Sequence, residues 1–295
     1  MAGLSIRHLD RVVFPRAGTT KAELLDYYVR IADAMVPHLR GRLLHMHRYP
    51  EGVEGPRFWQ KGCPEHKPGW VPTTPVWSAG KRTNIDYCVV NELRALLWAV
   101  NIGSIELHTS LHTAADPHGP TVLAFDLDPG EGVDALACAE VALLLRDALA
   151  GVGLRTFVKT SGSKGLQVYV PLNTPVTYAE TKPAARGIAE LLEARQPERI
   201  VSRMAKRLRA GKVLIDWSQN TEHKSMVCAY SVRAKARPTV STPLRWGEVE
   251  AALDAGEPER LVFEMGDVLE RVAADGDLFA EVLTLRQDLG QMPRT

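Results

Sequence analysis

Net charge is almost absent from this chain. Lys and Arg total 36 against 35 acidic residues over 295 positions, so bulk attraction to nucleic acid or to an acidic membrane surface is excluded. Any phosphate-binding surface has to arise from local clustering. Cysteine is scarce too: Cys63, Cys88, Cys138 and Cys228 are scattered with no C-x-x-C pair, which argues against a disulfide framework or a redox motif. We read all four as reduced and the protein as cytosolic. No apolar run approaches the roughly 18 residues a membrane span needs, and the N-terminus has no signal-peptide core. Internal repeats, low-complexity segments and the G-x-x-x-x-G-K-[ST] phosphate loop are missing as well. What remains is an ordinary globular composition, 45% hydrophobic and 24% charged, long enough for one large α/β unit or two smaller ones.

The most informative stretch is Thr121-Val-Leu-Ala-Phe-Asp-Leu-Asp-Pro-Gly130. Its apolar run reads as a buried strand bounded by Pro120 and Pro129-Gly130. Residues i and i+2 of a strand share a face, so Asp126 and Asp128 project side by side. Two desolvated carboxylates that close repel unless a cation compensates, and hard oxygen ligands on a rigid strand suit Mg²⁺ or Mn²⁺. The competing reading is a plain Asp-Pro-Gly turn. Lys212-Val-Leu-Ile-Asp-Trp-Ser-Gln-Asn220 repeats the pattern, with Asp216 at the end of an apolar strand.

Between these, Ser161-Gly-Ser-Lys-Gly165 joins two expected strands, Leu154 to Lys159 and Leu166 to Leu172. A turn of small residues exposing N–H groups, hydroxyls and one ammonium forms a phosphate nest, although a plain hairpin would also use the glycines. Basic residues cluster at Arg203, Lys206, Arg207, Arg209 and Lys212, then at Lys224, Arg233, Lys235 and Arg237. The first group is expected on a helix from about Pro197 to Ala210.

Elsewhere, Thr20 with Glu23 forms a capping-box pattern opening a helix to about Val36, where Arg11 and Lys21 gather positive potential for an anion. Strands are expected at Leu43 to Arg48, Arg57 to Lys61 and Ile105 to His108. One of Phe58 and Trp59 should enter the core and the other should face solvent beside Arg57 and Lys61 as a stacking platform. Residues 62–80 read as an ordered loop, and Asn91 as the cap of a helix to Val100. Helices are expected over Val133 to Ala150, Tyr178 to Ala194, Trp246 to Leu253 and Pro258 to Ala274, with a strand at Val227 to Val232 and a polar tail from Arg286. His45, His47, Cys63 and His66 match no standard zinc finger, and packing or substrate contact is the alternative to zinc.

Asp126-Leu-Asp128, Ser161-Gly-Ser-Lys-Gly165 and Asp216-Trp-Ser-Gln-Asn220, in that order, resemble the archaeo-eukaryotic primase superfamily, and more closely the polymerase domain of bacterial ligase D. The likeness runs from Gly18-Thr-Thr-Lys21 through Phe58-Trp-Gln-Lys61 to Pro238-Thr-Val240 and Asp275-Gly-Asp277. It implies an α/β (α+β) primase-polymerase fold with mixed or antiparallel sheets flanked by helices and an RRM-like catalytic module. The chain would then be a single domain, with an N-terminal module to about residue 110, a catalytic module at about 111–240 and C-terminal helices beyond.

The implied activity is metal-dependent nucleotidyl transfer that extends or fills DNA ends in non-homologous end joining, favouring ribonucleotides. Asp126, Asp128 and Asp216 would hold two Mn²⁺ or Mg²⁺ ions. His108, Ser161, Lys164, Gln167, Arg209, Gln219 and Arg233 would hold the NTP or dNTP. Arg11 and Lys21 would grip a DNA 5′-phosphate, with Phe58, Trp59 and Lys61 on the template. Two departures stand out: Gln167 where the family usually has histidine, and Arg11 where a lysine is expected. Implied partners are DNA ends, a Ku-type protein and a separate ligase in the bacterial nucleoid. The alternative is a weakly catalytic module that bridges ends by their 5′-phosphate.

Overall fold

A computed structural model describes residues 4–290 apart from Ala79 and Lys81. The last five residues of the expected polar tail lie outside the described residues. Two compact units interleave in sequence: Met1–Pro117 with Ser225–Ser241 and Glu264–Gly276, and His118–Lys224 with Thr242–Phe263 and Asp277–Thr295.

In the first unit the Thr20/Glu23 capping box is formed, and it opens the helix Lys21–Arg30. The expected single helix is broken at Ile31 into this one and Ala32–Leu39, whose Pro37 removes a backbone donor. Tyr27, Tyr28 and Met35 are fully buried. An antiparallel sheet carries strands in the order Met226–Val227, Ser104–Thr109, Leu43–Arg48, Thr83–Val89 and Thr73–Ser78, and short Phe58–Gln60 also pairs with Leu43–Arg48. The 62–80 stretch is therefore not all loop, since Thr73–Ser78 forms a hairpin with Thr83–Val89. Asn91 does not cap the next helix, Leu93–Asn101; its Oδ1 accepts from the Gly41 N–H instead, at 2.9 Å.

Contrary to expectation, not all four cysteines are reduced thiols. Cys63 and Cys88 form a disulfide, while Cys138 and Cys228 are buried thiols outside any disulfide. The Cys63 N–H bonds the Asp86 carbonyl at 2.6 Å and lays the loop against the strand bearing Cys88, with the two Cα atoms 4.9 Å apart. That pairing removes Cys63 from any zinc set.

The second unit is a six-stranded sheet in the order Ile200–Val201, Val213–Asp216, Val122–Pro129, Leu166–Pro171, Phe157–Thr160 and Pro243–Leu244, antiparallel except for the first pair. One sheet face is apolar because alternate residues Phe125, Leu127, Val158, Val168 and Ile215 point the same way. Against it pack the helices Ala135–Ala150, through Cys138, Val141 and Leu145, and Tyr178–Arg195, through Ala185 and Ile188.

The basic helix expected from Pro197 does not form. Ile200–Val201 pairs in parallel with the Asp216 strand, and only the 3₁₀ turn Lys206–Leu208 follows. Ile200, Val201, Met204, Ala205 and Leu208 fall at helical spacing, but Ile200 and Val201 are buried in strand pairing with Val213 and Leu214, and the cations are drawn to nearby carbonyls: Arg209 bonds Met204 O at 2.5 Å and Lys212 bonds Pro197 O at 2.6 Å. In the expected Pro258 to Ala274 helix, a 3₁₀ turn Pro258–Leu261 precedes the helix Met265–Asp275. The mixed α/β class with antiparallel sheets flanked by helices is as expected. Among the described residues no helix is long and apolar enough to cross a membrane.

Candidate active site

The second unit's sheet has a polar face opposite its helices. Register sets Asp126 against Gln167 on one neighbour and Asp216 on the other, and Gln167 against Lys159 on the next strand. Lys159, Gln167, Asp126 and Asp216 thus form one cross-strand row, and directly opposite residues on one face are close enough to interact. Asp128 shares Asp126's face two residues on and is exposed. Burial, then the charge of Asp128, pushes the Asp126 carboxyl up to about 7, against the opposing hydrogen bond from Gln167.

Each paired aspartate is already engaged. Gln167 Nε2 donates to Asp126 Oδ1 at 3.0 Å, and Lys159 Nζ donates to Gln167 Oε1 at 2.5 Å. Asp216 Oδ1 accepts from the Ser218 N–H at 2.9 Å and hydroxyl at 2.5 Å, and its Oδ2 accepts from Gln219 Nε2 at 2.8 Å. Lys224 donates to that same Ser218 hydroxyl. Beyond Asp216 the backbone turns into the 3₁₀ segment Trp217–Gln219, and the Asn220 amide takes over the ladder: Oδ1 accepts from Ala124 N at 3.0 Å and Nδ2 donates to Ala124 O at 2.7 Å.

Among the described residues no three His, Cys, Asp or Glu side chains stand grouped as a metal ion needs. The donor chemistry nevertheless fits a hard divalent cation. Asp126, Asp128 and Asp216 offer only oxygen, and the Asp126 carboxyl, raised by burial and then by the charge of Asp128, is a group whose ionised form a cation would stabilise.

The phosphate-type turn lies between Phe157–Thr160 and Leu166–Pro171. Ser161 N bonds Gly165 O at 2.9 Å, and the N–H groups of Ser163 and Gly165 both point at Ser161 Oγ, at 3.2 Å each. Those two N–H groups, which a nest would offer to phosphate, are turned onto the serine itself. Lys164 is exposed. A Cβ on Gly165 would sit 1.9 Å from Leu127 O, so only glycine lets the turn lie against the Asp126/Asp128 strand.

In the first unit, Glu106 is a hub that sequence reading missed. His108 Nε2 lies 3.1 Å, His47 Nδ1 3.5 Å and Arg233 Nε 3.3 Å from its carboxylate, and the Ala234 N–H donates to it at 3.0 Å. Burial alone would raise Glu106, but the histidine hydrogen bonds and the Arg233 charge hold it well below the usual range. An ionised carboxylate only accepts, so His108 spends its Nε2 proton there, and a phosphate would need a second proton on Nδ1. Burial pulls His108 below its ordinary value.

Phe58 and Trp59 are both partly exposed, at 44% and 41%, so neither enters the core. Their three-residue strand pairs with one neighbour only and leaves both faces open. Arg48 lies 4.9 Å over the Phe58 ring, and Trp59 meets His108 edge-on at 4.7 Å. Lys61 is exposed, and its charge acts on buried His45.

Lys21 and Arg11 line a cavity of about 190 Å³ with His8, Tyr49 and Asn101. The Lys21 ammonium donates to Arg7 O, Asn101 O and Asn101 Oδ1 at 3.0, 2.9 and 2.7 Å, which uses all three of its protons. Arg11 donates to Pro50 O at 2.6 Å. Burial, then Arg11, lowers the Lys21 pKa. Arg209 keeps a buried Nε without a hydrogen-bond partner.

Comparison with known proteins identifies the family. The family model of the LigD primase-polymerase domain matches residues 20–279. The multifunctional non-homologous end joining DNA repair protein LigD of Mycobacterium tuberculosis is 38% identical over 283 residues, covering 93% of this chain and 36% of that protein. The bifunctional non-homologous end joining protein LigD of Bacillus subtilis is 30% identical over 286 residues, covering 97% of this chain and 45% of that protein. The chain therefore spans less than half the length of these curated relatives. A solved structure, the polymerase domain from Mycobacterium tuberculosis Ligase D in complex with DNA, superposes with a TM-score of 0.90 at 36% identity, covering 97% of this chain and all of that one. The acid row, the serine-glycine turn and the match along nearly the whole chain lead to one conclusion: this protein belongs to the LigD primase-polymerase family.

Proposed function

We propose that the chain is a nucleotidyltransferase that adds nucleotides to DNA ends, opposite a template, during non-homologous end joining, with ribonucleotides favoured. The observation carrying this reading is the cross-strand pairing of Asp126 with Asp216, with Asp128 beside them and Asp126 pushed up to about 7 by burial and by its neighbours. Such a cluster is costly without a cation, and Asp126, Asp128 and Asp216 would hold two Mn²⁺ or Mg²⁺ ions. Bound there, the ions would acidify the primer 3′-hydroxyl and carry charge on the departing pyrophosphate.

The chain's own groups do the rest. Ser218 and Gln219 orient the two oxygens of Asp216, and Gln167 orients Asp126. Exposed Lys164, with the Ser161 hydroxyl, would neutralise the triphosphate, and Arg209 would add charge once its guanidinium turns from Met204. His108 and Arg233, both held by Glu106, would bind phosphate oxygens, with His108 donating from Nδ1 when protonated. Lys21 and Arg11 would take a DNA 5′-phosphate, exchanging carbonyl partners for phosphate oxygens, while Trp59, Phe58 and Lys61 meet the template. A Ku-type protein and a ligase acting on the extended end complete the proposal.

The test is extension of a primer facing a short gap before a 5′-phosphorylated downstream strand, with Mn²⁺ and each ribo- and deoxynucleotide. Templated addition should occur, weaken without the 5′-phosphate and vanish in Asp126→Asn. Undiminished addition by Asp126→Asn would remove the acid row from the mechanism.

A further inference from the structure

A lysine buried to 1% exposure stands one residue from the acid row, and its way of compensating that row is unusual. Lys159 does not touch Asp126 through any hydrogen bond of its own; Gln167, 3% exposed, lies between them in register. Both partners dictate how that amide points. An ammonium only donates, so the atom facing Lys159 is Oε1; a carboxylate accepts, so the atom facing Asp126 Oδ1 is Nε2. The amide is thus locked at both ends.

Asp126's cross-strand partner has the same arrangement. Lys224 donates to the Ser218 hydroxyl, which donates to Asp216 Oδ1. Each paired aspartate therefore meets a lysine through one neutral side chain. A lysine bonded straight to either carboxylate would stabilise the metal-free cluster, but it would hold the oxygens that a divalent ion takes. Set back by one side chain, the positive charge still offsets the desolvated acids and leaves them available.

We propose that Gln167 is a spacer that passes the compensation of Lys159 to Asp126 while keeping the ammonium off that carboxylate, so that it stays open to a divalent cation. This rests on the acid row being the cation site proposed above, and the experiment separates the two. Gln167 is then a positioning residue, held by Lys159 on one strand to act on Asp126 on another.

The readout is Mn²⁺ binding without turnover, from the electron paramagnetic resonance signal of free Mn²⁺, with thermal unfolding to establish folding. Asp126→Asn should abolish tight binding; if it does not, both readings fall. Gln167→Ala should weaken binding at least tenfold, because the Lys159 ammonium closes onto Asp126. Adding Lys159→Met to Gln167→Ala should bring affinity back to within threefold of the parent. Lys159→Met alone should bind at least as tightly as the parent. A Gln167→Ala protein within threefold of the parent, a double variant no tighter than Gln167→Ala, or a tenfold loss in Lys159→Met would each overturn the spacer. Gln167→Asn, too short to reach both partners, makes the same test if Gln167→Ala does not fold.

Discussion

Breaking the Cys63–Cys88 bond should cost the first unit a definite amount of stability. The bridge closes a loop of 25 residues, from just after the Phe58–Gln60 edge strand to the buried end of the Thr83–Val89 strand. Loop-closure entropy for about that length is worth about 3.5 kcal/mol at 25 °C. With a urea dependence of about 2 kcal/mol per molar, the midpoint should fall by about 1.7 M. Trp59, Trp70, Trp77 and Trp98 belong to this unit, so tryptophan fluorescence reports mainly on it. Unfolding in urea with and without a phosphine reductant gives the shift, and Cys63→Ala/Cys88→Ala should match the reduced parent and ignore reductant. Thiol titration in denaturant checks the premise, expecting Cys138 and Cys228 alone before reduction and all four cysteines after it. Equal midpoints in fully reduced and oxidised protein would refute the argument, as would four thiols in the unreduced chain. In a reducing compartment the same figure is the stability forgone.

Other residues give independent tests. His45 is pulled down to about 3 by burial, then by the charges of Lys61 and His108, so the unfolded chain takes up the proton first. Its contribution is complete above pH ~6.5 and is lost toward pH 3, at up to about 1.4 kcal/mol per unit; His45→Phe should flatten the decline between pH 6.5 and 5 by about 2 kcal/mol, and an unchanged slope in urea titrations would exclude it. Gly165→Ala drives a methyl into Leu127 O and should cost about 3 kcal/mol or more; a loss under about 0.5 kcal/mol would mean that the turn does not rest on the acid strand. Glu106→Gln releases His108 and Arg233 from a shared anchor and should raise the nucleotide KM about tenfold with little change in kcat, since a buried charged hydrogen bond is worth about 1.5–3 kcal/mol. A matching fall in kcat instead would place Glu106 in the chemical step.

The strands and helices that build the acid row were legible because their apolar content is dense and its length separates strand from helix. Val122–Pro129 and Val213–Asp216 are apolar runs carrying carboxylates at their ends, Ala135–Ala150 is a long apolar run without Pro or Gly, and Tyr178–Arg195 buries Tyr178, Thr181, Ala185, Ile188 and Leu192 at helical spacing despite Pro183. The run after Pro197 misled because Ile200, Val201, Met204, Ala205 and Leu208 carry a helical period that strand pairing with Val213 and Leu214 overrides, and two of its cations fold back onto carbonyls. Cys63 pairs with Cys88 only because the Thr73–Ser78 and Thr83–Val89 hairpin sets the position of Cys88, and a proline-rich stretch hid that hairpin. Phe58 and Trp59 alternate like any strand, and nothing local says that their strand has one neighbour. The roles of Glu106 and Lys159 are set by partners that folding brings near, Arg233 and Gln167, and that of Lys224 by the 3₁₀ turn that returns Ser218 to Asp216, and none of these is written in local pattern.

The Asn220 amide has a further meaning. It presents an acceptor and a donor to the Ala124 peptide group in the arrangement that a neighbouring strand's backbone would offer, so a side chain impersonates one rung of the sheet. The chain can then leave the sheet immediately after Asp216, and the parent strand still feels an intact edge. Asp216 through Asn220 therefore behaves as a clasp of fixed length, three residues between catch and hinge. One inserted residue would open it, and an aspartate at its end would supply only half of the rung. Sequence drift in the surrounding loop is thereby decoupled from the geometry of the carboxylates, and a catalytic edge can stay put while the surface beside it changes.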